Sequence, residues 1–298
     1  MRFTRPSIAL LGSLAALALG ACAGDDSDAS RTLQRGLETP VPSADVTLYL
    51  RARVSGDPEL EDPMRLRATG PYVREAEGEL PRLDWEVSAD ARGMGVTGGL
   101  LSTGDNAYVK WLGTSYEVGE ERVAEHVREK EGKDPAGELD RLGIDPGRWV
   151  VDPSAEGQEE VAGVASQHVS GSLDVERFLD DMDRVARDMG EEGLSPEERR
   201  LVLEGVEDPT FDVWVGTEDG VIRRLTAELE FTVPEAARER ADGVESGEVS
   251  LLLEHANVGG DQASRITAPA SSRPIEELLG PDGALGPGEY LSLGSRAG

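Results

Sequence analysis

The sequence predicts an α+β fold in which a curved antiparallel sheet is covered by helices on its concave side. Three patterns carry that prediction. Apolar and polar residues alternate over many short runs, turn-forming residues break those runs at close intervals, and amphipathic helical stretches interrupt the series near its middle. Consecutive strands joined by short turns form antiparallel meanders, and amphipathic helices need a sheet face to cover.

The first strand reads from Val46, Leu48, Leu50, Ala52 and Val54 on one side against Thr47, Tyr49, Arg51, Arg53 and Ser55 on the other. That is period two, the mark of a half-buried strand. Met64, Leu66 and Ala68 repeat it against Arg65 and Arg67, after breaks at Gly56-Asp57-Pro58 and Asp62-Pro63. Leu83, Trp85, Val87 and Ala89 follow, then a glycine-rich piece from Gly93 to Gly99 whose glycines suit sheet curvature or tight packing. Gly104-Asp105-Asn106 makes a turn before Ala107 to Leu112.

In the second half, Val161 to Leu173 is strand-like. Phe211, Val213 and Val215 alternate with Asp212 and Trp214, and Leu225, Ala227, Leu229, Phe231 and Val233 form the clearest strand. Asp219-Gly220 between them signals a hairpin, and Val249, Leu251 and Leu253 close a series of at least eight strands.

Val175, Phe178, Leu179, Met182, Val185 and Ala186 recur at spacings of three and four, with Asp174 placed to cap the first turn. Ser195-Pro196-Glu197-Glu198 combines a capping serine, an N1 proline and the returning glutamate of a capping box ahead of Leu201, Val202 and Val206. A further helix is predicted near residues 120–130, and a short terminal turn over 274–279.

Residues 1–21 carry Arg2 and Arg5, an apolar run from Ile8 to Leu19 and small residues before Cys22, the only cysteine of the chain. This is the layout of an export signal, too short in its apolar part to span a bilayer comfortably. Leu19-Gly20-Ala21-Cys22 resembles the lipobox of bacterial lipoproteins, which implies a diacylglycerol on the Cys22 sulfur and a lipid-anchored, extracytoplasmic domain. The expected organisation is a signal peptide over 1–21, a lipidated cysteine and disordered tether over 22–43, one sheet-and-helix domain over 44–280, and a flexible tail over 281–298.

The net charge is −29, and −31 once Arg2 and Arg5 leave with residues 1–21. Such a balance argues against nucleic acid and against anionic lipid headgroups as partners. His126, His168 and His255 are widely separated and fit no metal spacing, and Asp180, Asp181 and Asp183 lie inside a helix without the glycine and distal glutamate of a calcium loop. Asp105 and Asn106 are explained by a turn. With Cys22 taken by the anchor there is no thiol nucleophile, and neither a serine elbow nor a phosphate loop with its lysine is present. The reading is therefore of a protein that is not an enzyme, with no cofactor and no metal indicated.

A curved sheet under helices either fills itself with side chains or leaves an apolar cavity. The candidate cavity-wall residues are Trp85, Trp111, Trp214, Leu225, Leu229, Phe231, Phe178 and Met182; Trp149 is a fourth bulky indole.

Three segments carry a resemblance to a family: Leu101 to Lys110 (LSTGDNAYVK), Gly163 to Val175 (GVASQHVSGSLDV) and Phe211 to Phe231 (FDVWVGTEDGVIRRLTAELEF). They resemble the hairpins of actinobacterial LppX/LprG-type envelope lipoproteins and, remotely, LolA-like carriers. The resemblance implies a half-open barrel with a helical cover and an apolar cavity over residues 44–280. It implies a membrane-anchored protein that binds or carries a lipid or other hydrophobic ligand. The alternative is a non-catalytic envelope interaction or structural lipoprotein with a filled core.

Overall fold

A computed structural model describes residues 26–56, 62–75, 79–91, 94–129, 145–188, 193–241 and 243–279. The expected signal peptide, Cys22 and the expected C-terminal tail lie outside the described residues.

Twelve strands form one sheet: β1 (Ser43–Ser55), β2 (Met64–Val73), β3 (Arg82–Ala91), β4 (Met94–Ser102), β5 (Ala107–Trp111), β6 (Thr114–Glu117), β7 (Val150–Val161), β8 (Val164–Leu173), β9 (Val206–Gly216), β10 (Ile222–Thr232), β11 (Ser246–Ala256) and β12 (Arg273–Pro274). The helices are α1 (Asp26–Glu38), α2 (Glu120–Glu129), α3 (Val175–Asp188), α4 (Pro196–Gly205) and the short α5 (Glu276–Leu279). Across the sheet the order is β12-β6-β5-β4-β3-β2-β1-β11-β10-β9-β8-β7. Two meanders, β1 to β6 and β7 to β11, therefore meet where β11 pairs with β1. β12 joins β6 in parallel and makes the sheet mixed.

The expected half-open barrel is corrected by this order. The sheet is open, with β12 and β7 as its two edges, and it is not curled. Curling needs bulges or glycine kinks repeated across the central strands. Here the register is unbroken through β1/β11, β1/β2, β3/β4 and β10/β11, and the marked shifts fall only in β7/β8 and β9/β10. The glycine-rich run serves close packing instead: a Cβ on Gly98 would stand 2.9 Å from the Lys110 carbonyl oxygen and 3.2 Å from the Trp111 ring.

Among the described residues the helical cover is also narrower than expected. Helix α1 lies over β7, β8 and β9, and α4 over β10 and beside α3. Beneath them Phe178, Leu179, Val202, Phe211, Val213, Leu225 and Leu229 form one contiguous core. The caps are those the sequence announces. The Arg177 amide donates to Asp174 Oδ1 at 3.1 Å, and Ser195 and Glu198 form the reciprocal capping box.

Helix α1 corrects the expected tether. Ala29, Leu33 and Gly36 are buried and Leu37 partly so. These positions fall at i, i+4, i+7 and i+8, one face of a helix. Gly36 is needed there, because a Cβ would meet Val215 Cγ2 at 2.7 Å.

Two polar hubs fix the periphery. The first is Asp181, only 1% exposed. Its Oδ2 accepts from Trp149 Nε1 and from the Asp145 amide, both at 3.0 Å, while Oδ1 lies 3.0 Å from Arg184. Trp149 is fully buried edge-on to Phe178, ring centroids 5.1 Å apart. Asp180 and Asp183 instead hold Arg199 of α4, so the three acids do not share one role. The second hub is Asn106, whose Oδ1 accepts from the Ala107 and Gly119 amides and whose amide donates to Glu117 Oε1 at 2.8 Å. Ser272 donates to the other Glu117 oxygen at 2.8 Å, tying the β12 segment to β6.

Asp181→Ala should cost roughly 2–3 kcal/mol, because the Trp149 N–H and the Asp145 amide lose their buried acceptor. Asp180→Ala, which loses an exposed ion pair, should cost under about 1 kcal/mol. Denaturant titration of both variants checks this, and equal losses would refute the distinction. Hydrogen bonds from Asn106 and then Ser272 hold the Glu117 carboxyl below the usual glutamate range. A carboxyl with a depressed folded value stabilises the fold above its unfolded value, and that contribution is lost as pH falls through the folded one. NMR titration should therefore place Glu117 below an ordinary glutamate and move it upward in Ser272→Ala; an unshifted Glu117 would remove the hub's electrostatic role.

Candidate functional site

Strand alternation gives the sheet two faces of opposite chemistry, and register extends each face across the strands. On one face, Leu253, Leu48, Ala68, Val87, Gly98 and Trp111 are successive cross-strand partners in one row. A second row contains Trp85, Leu100, Val109 and Tyr116, and a third contains Leu251, Leu50, Leu66, Ala89 and Val96. The face is thus apolar from β11 to β6.

Only part of it is closed. Over β7 to β11 the helices bury it. Over β1 to β6, Leu48, Leu50, Leu66, Trp85, Val87, Val109 and Trp111 remain half-buried. Leu100 is 46% exposed and Met64 37%. Trp85 Nε1 is buried and has no hydrogen-bond partner among the described residues. This surface can take up apolar chains.

The predicted wall residues divide between three environments. Phe178, Leu225 and Leu229 sit in the filled core under the helices, with Met182 and Phe231 packed against it. Trp85 and Trp111 stand on the partly open half. Trp214 is on the opposite face: it stacks on His168 with centroids 4.3 Å apart, donates to Glu159 at 3.0 Å and lies beneath the Arg224 guanidinium. His168 Nε2 is 2.7 Å from Asp212 Oδ1 and its Nδ1 is 3.3 Å from Glu159 Oε1, so these residues form a polar cluster that ties β7, β8 and β9. His255 is buried in β11, its Nδ1 2.9 Å from the Ile222 carbonyl oxygen.

Leu48, Leu50, Leu66, Leu100 and Val109 were not among the expected wall residues, although their alternation is plain in the sequence. A groove of about 440 Å³ lies elsewhere, lined by Arg53, Glu207, Glu230, Phe231 and Glu248 among others. It is polar and does not match the expected apolar cavity.

No protein-family model matches the sequence, and no curated protein matches it. Among solved structures, the chain is similar to LprF from Mycobacterium bovis at 16% identity and a TM-score of 0.42, covering 82% of this chain and 98% of that one. It is similar to the Mycobacterium tuberculosis lipoprotein LppX at 13% identity and a TM-score of 0.37, covering 77% of this chain and 95% of that one. For a LolA superfamily protein from Nitrosomonas europaea the values are 10%, 0.22, 80% and 97%. The likeness is a remote one of structure and specifies neither a ligand nor a mechanism.

Proposed function

We propose that this chain is a non-catalytic, membrane-anchored extracytoplasmic lipoprotein that binds a lipid or other hydrophobic ligand on the β1 to β6 half of its apolar sheet face. The observation that carries the reading is the incomplete helical cover among the described residues. Exposed and half-buried apolar residues run there from Leu48 and Leu50 on β1 to Val109 and Trp111 on β5, with Tyr116 on β6. An exposed apolar surface of that extent marks a binding site.

Anchoring at Cys22 fits this reading. Helix α1 begins at Asp26. Only residues 23–25 then separate the lipidated residue from the packed domain, a reach of at most about 14 Å for an extended chain. The domain would sit at the membrane surface rather than on the long tether the composition suggested, close to the source of a lipid ligand.

The filled core between the helices and β7 to β11 favours a second reading, a non-catalytic envelope interaction lipoprotein whose open half-face packs against a protein. Native mass spectrometry of the mature chain from a lipid-rich host, checked by lipid extraction, separates the two. Under the first reading the protein carries a stoichiometric adduct. Leu100→Glu, a change at an already exposed position, loses it, and Trp214→Phe on the opposite face keeps it. A clean mass that stays unchanged after incubation with envelope lipids would refute ligand binding.

A further inference from the structure

The polar face of the sheet usually sets opposite charges side by side. Arg224 meets Glu254 at 2.7 Å across β10 and β11, and Lys110 meets Asp84 on the β3 to β5 side. One block breaks that habit. On β1, Arg51 and Arg53 point to this face, and on β2 so do Arg65 and Arg67, with Arg51 directly opposite Arg65 in register and Tyr49 opposite Arg67.

Neighbouring strands lie about 4.8 Å apart, and alternate residues on a strand about 6.7 Å apart. The four Cα atoms are therefore staggered along the two strands: Arg67 beside Tyr49, then Arg65 facing Arg51, then Arg53 beyond the last paired residue of β2. Like charges directly opposite one another destabilise a sheet. Arg51 is relieved by Glu248 at 3.0 Å. Arg53, Arg65 and Arg67 are exposed and make no ion pair or side-chain hydrogen bond among the described residues. Asp90 stands opposite Arg65 in register without bridging to it. Arg53 likewise stands opposite Glu248, which is taken by Arg51, so in a chain with 59 acids and 30 bases three neighbouring arginines form no ion pair among the described residues although two of them face a carboxylate in register.

Stability gives no reason for setting Arg51 opposite Arg65, but anion recognition does. A guanidinium presents a planar fork of donors that matches two oxygens of a phosphate. The overall negative charge does not forbid it, since fields beyond about 8 Å are screened at physiological ionic strength. Arg53 borders the acidic groove lined by Glu207, Glu230 and Glu248, and Arg51, Arg65 and Arg67 are not part of its lining, so no single pocket encloses the four. That arrangement fits a surface carrying many phosphates.

We propose that Arg51, Arg53, Arg65 and Arg67 form a docking patch for the anionic phospholipid headgroups of a bilayer. This assignment corrects locally the exclusion of anionic lipid drawn from net charge, and it is independent of what occupies the apolar face behind the same strands.

The test is the partition of the intact chain into phosphatidylcholine vesicles and into vesicles that also contain phosphatidylglycerol. Taking the ratio of the two cancels the contribution of any N-terminal anchor. The ratio should exceed one and fall with added salt. Arg53→Gln, Arg65→Gln and Arg67→Gln combined should lower it by roughly 30- to 100-fold. The corresponding lysine variants should restore part of the loss, because they keep the charge and lose the fork. The glutamine variant should melt no lower than the parent, which shows that lost binding is not lost folding. A ratio near one for the intact chain, or one unchanged in a folded glutamine variant, would overturn the proposal. So would abolition of the ratio by millimolar inorganic pyrophosphate at matched ionic strength, which would identify a soluble phosphate ligand.

Discussion

The pairing of β1 with β11 is the constraint on which the rest of the structure depends. It joins the first strand of one meander to the last strand of the other through an unbroken register from Asp45↔Ala256 to Ser55↔Ser246. Because side chains alternate with period two, a slip of one residue there would move every apolar residue of one meander to the polar face of the other. Leu48 opposite Leu253 and Leu50 opposite Leu251 make that slip costly, since both pairs abut the core. The continuity of the apolar face across both meanders is a consequence of this one seam, and so is the continuity of the charged face behind it.

The seam also explains why the cover is unequal. The helices with strong apolar faces enter the chain before β1 and between β8 and β9, and their contacts are with β7 to β10. Helix α2, which follows β6, has Val123 buried and otherwise mostly charged residues. It has little with which to cover the first meander. Within the covered half, Asp181 and Trp149 clamp α3 to the start of β7, so the filled core is held by directional bonds as well as by area. No comparable clamp ties a helix across β1 to β5 among the described residues. Among the described residues, the open half thus follows from which segments carry apolar helical stripes.

Much of this was legible in residue patterns and some was not, for identifiable reasons. The strands of both meanders, the cap at Asp174 and the capping box at Ser195 follow from period two and from cap chemistry, both of which are local. Helix α1 escaped because its polar composition hides four apolar or small positions at helical spacing. β12 is two residues long and exists only through pairing with β6, which no local pattern announces. The curl of the sheet failed for a related reason. It depends on bulges in central strands, and the glycine run that suggested curvature is used to let Trp111 and the Lys110 backbone approach β4. Two placements were readable from parity and spacing. Trp214 alternates with Val213 and Val215, so parity already assigned it to the face of Asp212. Asp181 lies three residues from Phe178 and four from Val185, on the apolar stripe of its helix, which marks it as inward-facing. Of the candidate site, the composition of the apolar face was readable; which half of it stays open was not, because that depends on where the helices pack.

Strands β1 and β2 show how one pattern supports two surfaces. Alternation places Leu48, Leu50 and Leu66 on one side and Tyr49, Arg51, Arg65 and Arg67 on the other, with the backbone ladder between them. The two sets share strands yet cannot touch through the sheet. Each face can therefore change chemistry without altering the register that positions the other, so long as the seam to β11 is kept. Arg51 is the exception, because its bond to Glu248 reaches across that seam. Its guanidinium both relieves the like-charge block and reinforces the pairing that orders the whole sheet, so of the four arginines it is the one whose loss would reach beyond its own face.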